Sequence, residues 1–346
     1  MSRRIRLSVV PARRIFIGRA LALGFVFLVL ALVLMLLGLN LGTVATLVVT
    51  STFGTEFGLE NLALYMTPLL MTGAAVWLAL RAGLWNIGAE GQFLAGATAA
   101  SAVGLFLPFP AFVTLPLAAM AGMIAGACWS AVPAAGRAWL GVSEIITTLL
   151  LNFIASYLVY YLVTGPWADR VTGAQVSSER IHAAIPTIYG VVHWGGPLAL
   201  AVVTALGLLL GRSRFGYELT LSGSNPDAAH YAGVSVAPRL FMALVFSGAL
   251  AGLGGMMEAL GTVHRLQGGL AHGYGYLGIV VALLARQSAL ALIPAAFLMA
   301  VILNMGIVLQ TLQVSASSVL AITGLLVFAI AVSDELAAYV RLETQK

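Results

Sequence analysis

From Ala20 to Leu39 the chain runs twenty residues without a charge. At 1.5 Å per helical residue that length crosses a hydrocarbon core of about 30 Å. Similar runs recur through the sequence, and only 8% of the 346 residues are charged while 61% are hydrophobic. A soluble domain carries about 25% charged residues, so a water-facing surface cannot be built here and the bilayer is the solvent. Disorder is excluded by the same numbers. The 38 glycines lie inside apolar runs without a three-residue period, which excludes a collagen-like chain and points to close helix contacts. The single cysteine, Cys128, has no intrachain partner and reads as a small core residue. The net charge of +5 is that of a membrane protein whose arginines orient its loops, not of a nucleic-acid binder.

Apolar windows bounded by charges, Gly or Pro predict an all-α polytopic fold of about ten membrane helices. They fall near 20–39, 62–80, 85–107, 112–132, 144–164, 197–211, 240–262, 275–286, 289–309 and 317–332. The segments near Pro197, Tyr276 and Ser317 are short and are expected to be tilted, broken or re-entrant. Residues 41–54 form a weaker extra segment that dips into the membrane without crossing. The basic stretch 1–19 holds six arginines and no acid, and it precedes a run suited to an uncleaved anchor. With this end in the cytoplasm, ten crossings place 14 of the 17 Lys and Arg residues inside, as the positive-inside rule requires. Both termini, including the tail 333–346, are then cytoplasmic, and 20–332 is one transmembrane domain.

Two polar loops interrupt it. The outer loop 165–196 carries Trp167, Asp169, Arg170, His193 and Trp194. The cytoplasmic loop 211–238 contains Asn225-Pro226, then Asp227 to Ala232, closed by Gly233. Pro at the first helical turn, an acid near the positive dipole end and a glycine stop predict a helix of about two turns. So short a helix is marginal alone and needs a partner surface.

Membrane-embedded polar groups are the candidate pathway: Trp85, Asn86, Glu90, Gln92, Asn152 and Glu258. Asn86 and Glu90, four apart, are expected on one helical face. The bland alternatives are a Glu90 pair with Arg81 or Arg137, a helix-start role for Glu144 behind Ser143, a helix partner for the Asn152 amide, and an ion pair of Glu258 with His264 or Arg265. Gly248, Gly252 and Gly255 share nearly one face and read as a helix contact. Residues 267–284, QGGLAHGYGYLGIVVALL, read as a glycine-rich loop and a half-length helix, tolerated at membrane depth only when buried in protein or lining water. No zinc-protease motif, nucleophile elbow or Walker sequence is present. Uphill transport would need an ion gradient or another polypeptide.

GLWNIGAEGQ at 83–92, GVSEIITTLLLNF at 141–153, GSNPDAAHYAGV at 223–234, SGALAGLGG at 247–255 and GYGYLGIVVALL at 273–284 together resemble the permease subunits of bacterial ABC importers. The branch is the one serving nucleosides and simple sugars, related to ribose and branched-chain amino-acid permeases. Ser143, where that family more often has Asn, and Ala285 to Ala289 depart from its pattern.

The resemblance implies a non-catalytic subunit of the bacterial cytoplasmic membrane, without a cofactor of its own. It implies a coupling helix that docks on a separate ATPase holding ATP and Mg. On this sequence Asn225, Pro226, Asp227, Ala228, Ala229, Tyr231, Ala232 and Gly233 occupy that helix and its edges. It also implies an extracytoplasmic solute-binding protein, for which Trp167, Asp169 and Arg170 offer a dock, and a second homologous permease or a second copy of the chain. The expected cargo is a nucleoside or related base, with a simple sugar as the alternative. A proton-coupled secondary transporter working through Glu90 or Glu258 is the rival reading.

Overall fold

The computed structural model describes residues 40–315 except 172, 174, 175 and 287, with scattered positions in 24–38 and 317–328. The expected basic stretch 1–19 and tail 333–346 lie outside the described residues, as does much of the segments 20–39 and 317–332. The chain forms two compact units, residues 56–301 and the remainder.

In the smaller unit, α1 (Leu41–Phe53) is capped by Asn40, whose Oδ1 accepts the Thr43 N–H at 3.2 Å. Asn304 donates from Nδ2 to Thr52 Oγ1 at 2.9 Å with both residues buried, so this amide is satisfied by a hydroxyl on another helix.

In the larger unit the expected segments between 62 and 309 all coincide with helices. These are α2 (Glu56–Arg81), α3 (Ala89–Phe106), α4 (Ala111–Leu140), α5 (Glu144–Thr164), α6 (Gly195–Arg212), α7 (Arg214–Ser224), α8 (Pro226–Tyr231), α9 (Val236–Met257), α10 (Tyr274–Ala285) and α11 (Leu292–Thr311), the last passing into the other unit at Ile302. A π-helical turn, Glu258–Val263, extends α9, and a 3₁₀ turn, Ala289–Ala291, leads into α11. Among the described residues six helical segments are long and apolar enough to cross a membrane.

Several boundaries differ from the sequence reading. The segment expected to be short at 197–211 is an unbroken 18-residue helix. Its Gly195-Gly196-Pro197 start extends it. The segment 85–107 starts only at Ala89, and 112–132 continues to Leu140 through Pro133 to an αL Gly141. Two short strands, β1 (Thr187–Tyr189) and β2 (Val192–His193), pair antiparallel in the loop 165–196. Cys128 is exposed on the flank of α4 and is not a core residue.

α9 is the hub, packed on α2, α3 and α4. Its glycines make this possible. A Cβ at Gly252 would strike the Gly122 carbonyl oxygen, one at Gly248 would strike Gly126 and Ser130, and one at Gly255 would strike the Phe93 carbonyl oxygen. Gly96 meets Gly252 in the same way. Here backbone lies on backbone, the close approach that small residues permit in a membrane. In the most apolar stretch of α2 78% of residues are buried, against 22% in each of α4, α5 and α6; the last three are therefore peripheral and present broad apolar faces outward.

The chain after α9 turns back into the protein. Leu266, Leu270 and Ala271 are buried, and Gly275 sits against the backbone of Ala89 and Glu90. Thr72 Oγ1 donates to the Tyr274 carbonyl oxygen at 2.9 Å, and Trp77 Nε1 donates to the Arg286 carbonyl oxygen at 2.8 Å. The expected half-length helix is therefore α10, 12 residues long, with its interrupted backbone enclosed by protein.

Candidate functional site

Asn86 does not share a helical face with Glu90. It lies in the non-helical link between α2 and α3, where Gly83, at φ +69°, turns the chain. Its Nδ2 donates to Gln92 Oε1 at 2.7 Å and to Ser247 Oγ at 2.7 Å, and its Oδ1 accepts from Gln92 Nε2 at 2.9 Å. Ser247 Oγ in turn donates to the Ala75 carbonyl oxygen at 2.5 Å. The cluster ties α2, α3 and α9 together.

Glu90 pairs with neither Arg81 nor Arg137. Its two carboxylate oxygens accept the N–H groups of Gly273 at 3.1 Å and Gly275 at 2.7 Å. It caps the start of α10, satisfying N–H groups that the helix leaves without an internal partner. Asn152, midway along α5, accepts the Gly91 N–H at 2.9 Å and donates to the Ile87 carbonyl oxygen at 2.9 Å and to Tyr276 Oη at 3.2 Å. Its partners are backbone and a phenol of other elements. Trp85 and Tyr276 are the exposed members of this group, at 41% and 39%. Tyr276 was not among the pathway residues read from the sequence; its place directly after Gly273-Tyr274-Gly275 at the start of α10 is the signal that marks it.

Glu144 is buried in the first turn of α5, but Ser143 makes no side-chain cap there. The carboxylate forms an ion pair with Arg137 at 3.1 Å and accepts the Trp85 N–H at 3.4 Å. Arg137 thus neutralises an acid on the next helix.

Glu258 stands apart from this group, at the start of the π-helical turn that extends α9. It forms no ion pair with Arg265 or His264. Its Oε2 accepts from Thr262 Oγ1 at 3.1 Å, one turn on. Thr262 also meets His193 Nε2 at 3.2 Å, and His193 Nδ1 accepts the Gly195 N–H at 3.0 Å. Since Nδ1 is an acceptor, Nε2 holds the proton. Burial, aided by nearby His264, pushes the His193 imidazole down to about 4. The Glu56 carboxylate, by accepting a hydrogen bond, raises the Tyr189 phenol above its ordinary range.

Arg265 is instead bound to Asp169 at 2.5 Å and to the Ser178 carbonyl oxygen at 3.1 Å. Of the three residues expected to form a docking surface, Asp169 is buried, Trp167 packs edge-on against Phe106 with centroids 5.4 Å apart, and Arg170 is exposed.

The predicted short helix is α8. Asn225 caps it through Oδ1, which accepts the Ala228 N–H at 2.9 Å, Pro226 opens it and Gly233, at φ +76°, follows it. Ala229 is fully buried against the chain itself, whereas Tyr231 is 92% exposed. The sequence reading took 211–238 as a loop with one short helix and missed α7, which carries a buried acid, Glu218. Its Oε1 accepts Arg214 Nε at 2.6 Å and its Oε2 accepts Arg239 Nε at 2.7 Å. Those two guanidinium groups hold the Glu218 carboxyl below the usual carboxylate range. Among the described residues no three His, Cys, Asp or Glu side chains gather to hold a metal ion.

Residues 58–331 match the family described as the permease component of branched-chain amino acid transport systems. The chain is 39% identical over 265 residues to the glucose ABC transporter permease protein TsgB13 of Haloferax volcanii, covering 72% of this chain and 70% of that one. It is 35% identical over 257 residues to the guanosine ABC transporter permease protein NupP of Bacillus subtilis, covering 71% and 73%. It is 31% identical over 250 residues to the nucleoside ABC transporter permease protein NupB of Lactococcus lactis, covering 68% and 69%. The first two organisms each hold a second, more distant match, TsgC13 at 24% and NupQ at 25% identity. With its apolar spans, internally bonded polar clusters and this match over most of its length, the chain belongs to the branched-chain amino acid transport permease family, as a multi-pass, non-catalytic membrane subunit of an ABC transporter.

Proposed function

We propose that the chain forms part of the translocation pathway of an ATP-driven importer for nucleosides, in the cytoplasmic membrane, with the arginine-bearing helix ends toward the cytosol. The observation that carries the ATP-driven reading is α8. A six-residue helix is too short to persist alone. This one rests on its own chain through Ala229 and turns Tyr231 outward, so its other face is offered to a partner. That partner is a separate ATPase, which holds ATP and Mg. Asn225, Pro226, Asp227, Ala228, Ala232 and Gly233 shape the helix and its ends. A proton-coupled alternative is less well supported, because both Glu90 oxygens are held by backbone N–H groups.

Nucleosides are favoured by the guanosine and nucleoside permeases among the relatives. The partly exposed rings of Trp85 and of Tyr276, the latter bonded to the Asn152 amide, are the faces on which a base would stack. Glucose is the second reading, supported by the 39% identity to the Haloferax volcanii permease. The paired matches within single organisms support a heterodimer with a second permease, and an extracytoplasmic binding protein completes the system.

The test is uptake into vesicles holding the chain, the ATPase and the second permease, with the binding protein added. ATP-dependent guanosine uptake that glucose does not compete supports the reading. Uptake without ATP that collapses with the proton gradient overturns it. Tyr231→Asp is expected to strip the ATPase during purification while the permease stays folded. Ala229→Arg is a poor probe, since it wedges the chain's own packing.

A further inference from the structure

Resting on the reading of α8 as the ATPase contact, we propose that α7 transmits the movement of α8 to the pathway through two links: a backbone contact between Gly223 and Gly83, and the Glu218–Arg239 ion pair, with Glu218 as the positioning residue.

α7 and α8 are separated by Asn225 alone, whose side chain caps α8 while its N–H closes the last turn of α7 on the Leu221 carbonyl oxygen at 2.9 Å. A push on α8 is therefore delivered to α7. At its far end from Arg214, α7 meets the turn after α2. A Cβ at Gly223 would fall on the Ala82 carbonyl, and one at Gly83 would lie 2.9 Å from the Gly223 carbonyl oxygen. No side chain lies between them, so no rotamer change can absorb a displacement. Gly83 begins the link that holds Trp85, Asn86 and Ile87. Asn86 is bonded to α3 and α9, and the Ile87 carbonyl oxygen accepts from Asn152 on α5. Movement at Gly83 thus reaches three helices at the level of Trp85.

The second link runs to the start of α9. Glu218 is 4% exposed, and Arg239, in the first turn of α9, grips its Oε2 through both Nε at 2.7 Å and Nη2 at 2.5 Å. The Arg239 guanidinium also lies 5.7 Å over the Phe215 ring, and Phe215 meets Phe246 edge-on at 5.9 Å. Two charge-assisted bonds converging on one oxygen of a buried carboxylate tie α7 to the start of α9. α9 carries the glycine contacts to α3 and α4, so the same helix that receives the pull holds the bundle centre.

The experiment uses the whole complex in proteoliposomes and reads three quantities: ATPase retained on purification, ATP hydrolysed, and solute taken up. Glu218→Gln is expected to retain the ATPase and its hydrolysis while uptake per ATP falls about tenfold, the scale of a typical coupling energy. The charge-swapped pair Glu218→Arg with Arg239→Glu is expected to restore uptake per ATP, because Arg214 is exposed enough to turn into water. Unchanged uptake per ATP in Glu218→Gln overturns the proposal. So does a loss of uptake that follows only the loss of folded protein and is not restored by the swap. Failure of the underlying reading looks different: Tyr231→Asp then leaves the ATPase bound.

Discussion

Asn86 and Gln92 exchange two amide hydrogen bonds, at 2.7 and 2.9 Å, with both residues buried. Asn86 spends its remaining Nδ2 hydrogen on Ser247. Replacing it by Ala strands both partners, at a cost of about 1–3 kcal/mol. Thermal unfolding in detergent should show the loss, and the folded fraction should transport with unchanged KM. A raised KM at unchanged stability would instead put the amide pair in contact with solute.

Gly252→Ala places a methyl on the Gly122 carbonyl oxygen. Overpacking of this kind costs about 1–3 kcal/mol, and Gly252→Leu is expected to yield no monodisperse protein on size exclusion. Gly211, which has nothing within 4 Å of a built Cβ, should accept Ala without a change in elution or melting. Equal behaviour of the two positions would contradict the helix contact.

Asp169 and Arg265 join the loop after α5 to the end of α9 at 2.5 Å, with the Asp169 side chain 2% exposed. Asp169→Ala leaves a largely sheltered guanidinium without its carboxylate and should cost about 3 kcal/mol, within the range for breaking buried pairs. Adding Arg265→Met should recover part of the loss. A double variant no more stable than the single one would remove the pair from the stabilising contacts of this loop.

His193 supplies a pH dependence. Its imidazole titrates at about 4 in the folded chain, down from an ordinary 6.5, so between these values the unfolded state binds the extra proton. Stability therefore falls as pH drops from 6.5 toward 4. The proton would also displace the Gly195 N–H from Nδ1. Melting temperatures across this window should decline in the native chain and flatten in His193→Gln; an equal slope in both would assign the effect to other groups.

How far the sequence disclosed this arrangement depended on the range of the signal. α5 was legible to the residue because Ser143-Glu144 and Gly165 bracket an apolar run. α8 was legible because Asn225, Pro226 and Gly233 each impose a local backbone state. The partners of Glu90 were hidden: Gly273 and Gly275 lie 183 and 185 residues away. The same is true of Asn86, which left the helix to bond Ser247, 161 residues on. α7 escaped notice because its Gly and Ser content resembles a loop and Arg239, the second partner of Glu218, stands outside it, although the Arg214–Glu218 pair, four apart, lies within it.

The carbonyl-to-glycine contacts that join α3, α4 and α9 have a mechanical corollary. Surfaces meshed this tightly cannot slip past one another without first parting, so the trio must travel as one body while the conduit switches sides. The compliance of the subunit then resides in its looser parts, the peripheral α5 and α6, while the truncated α10, pressed through Gly275 on the start of α3, moves with the trio.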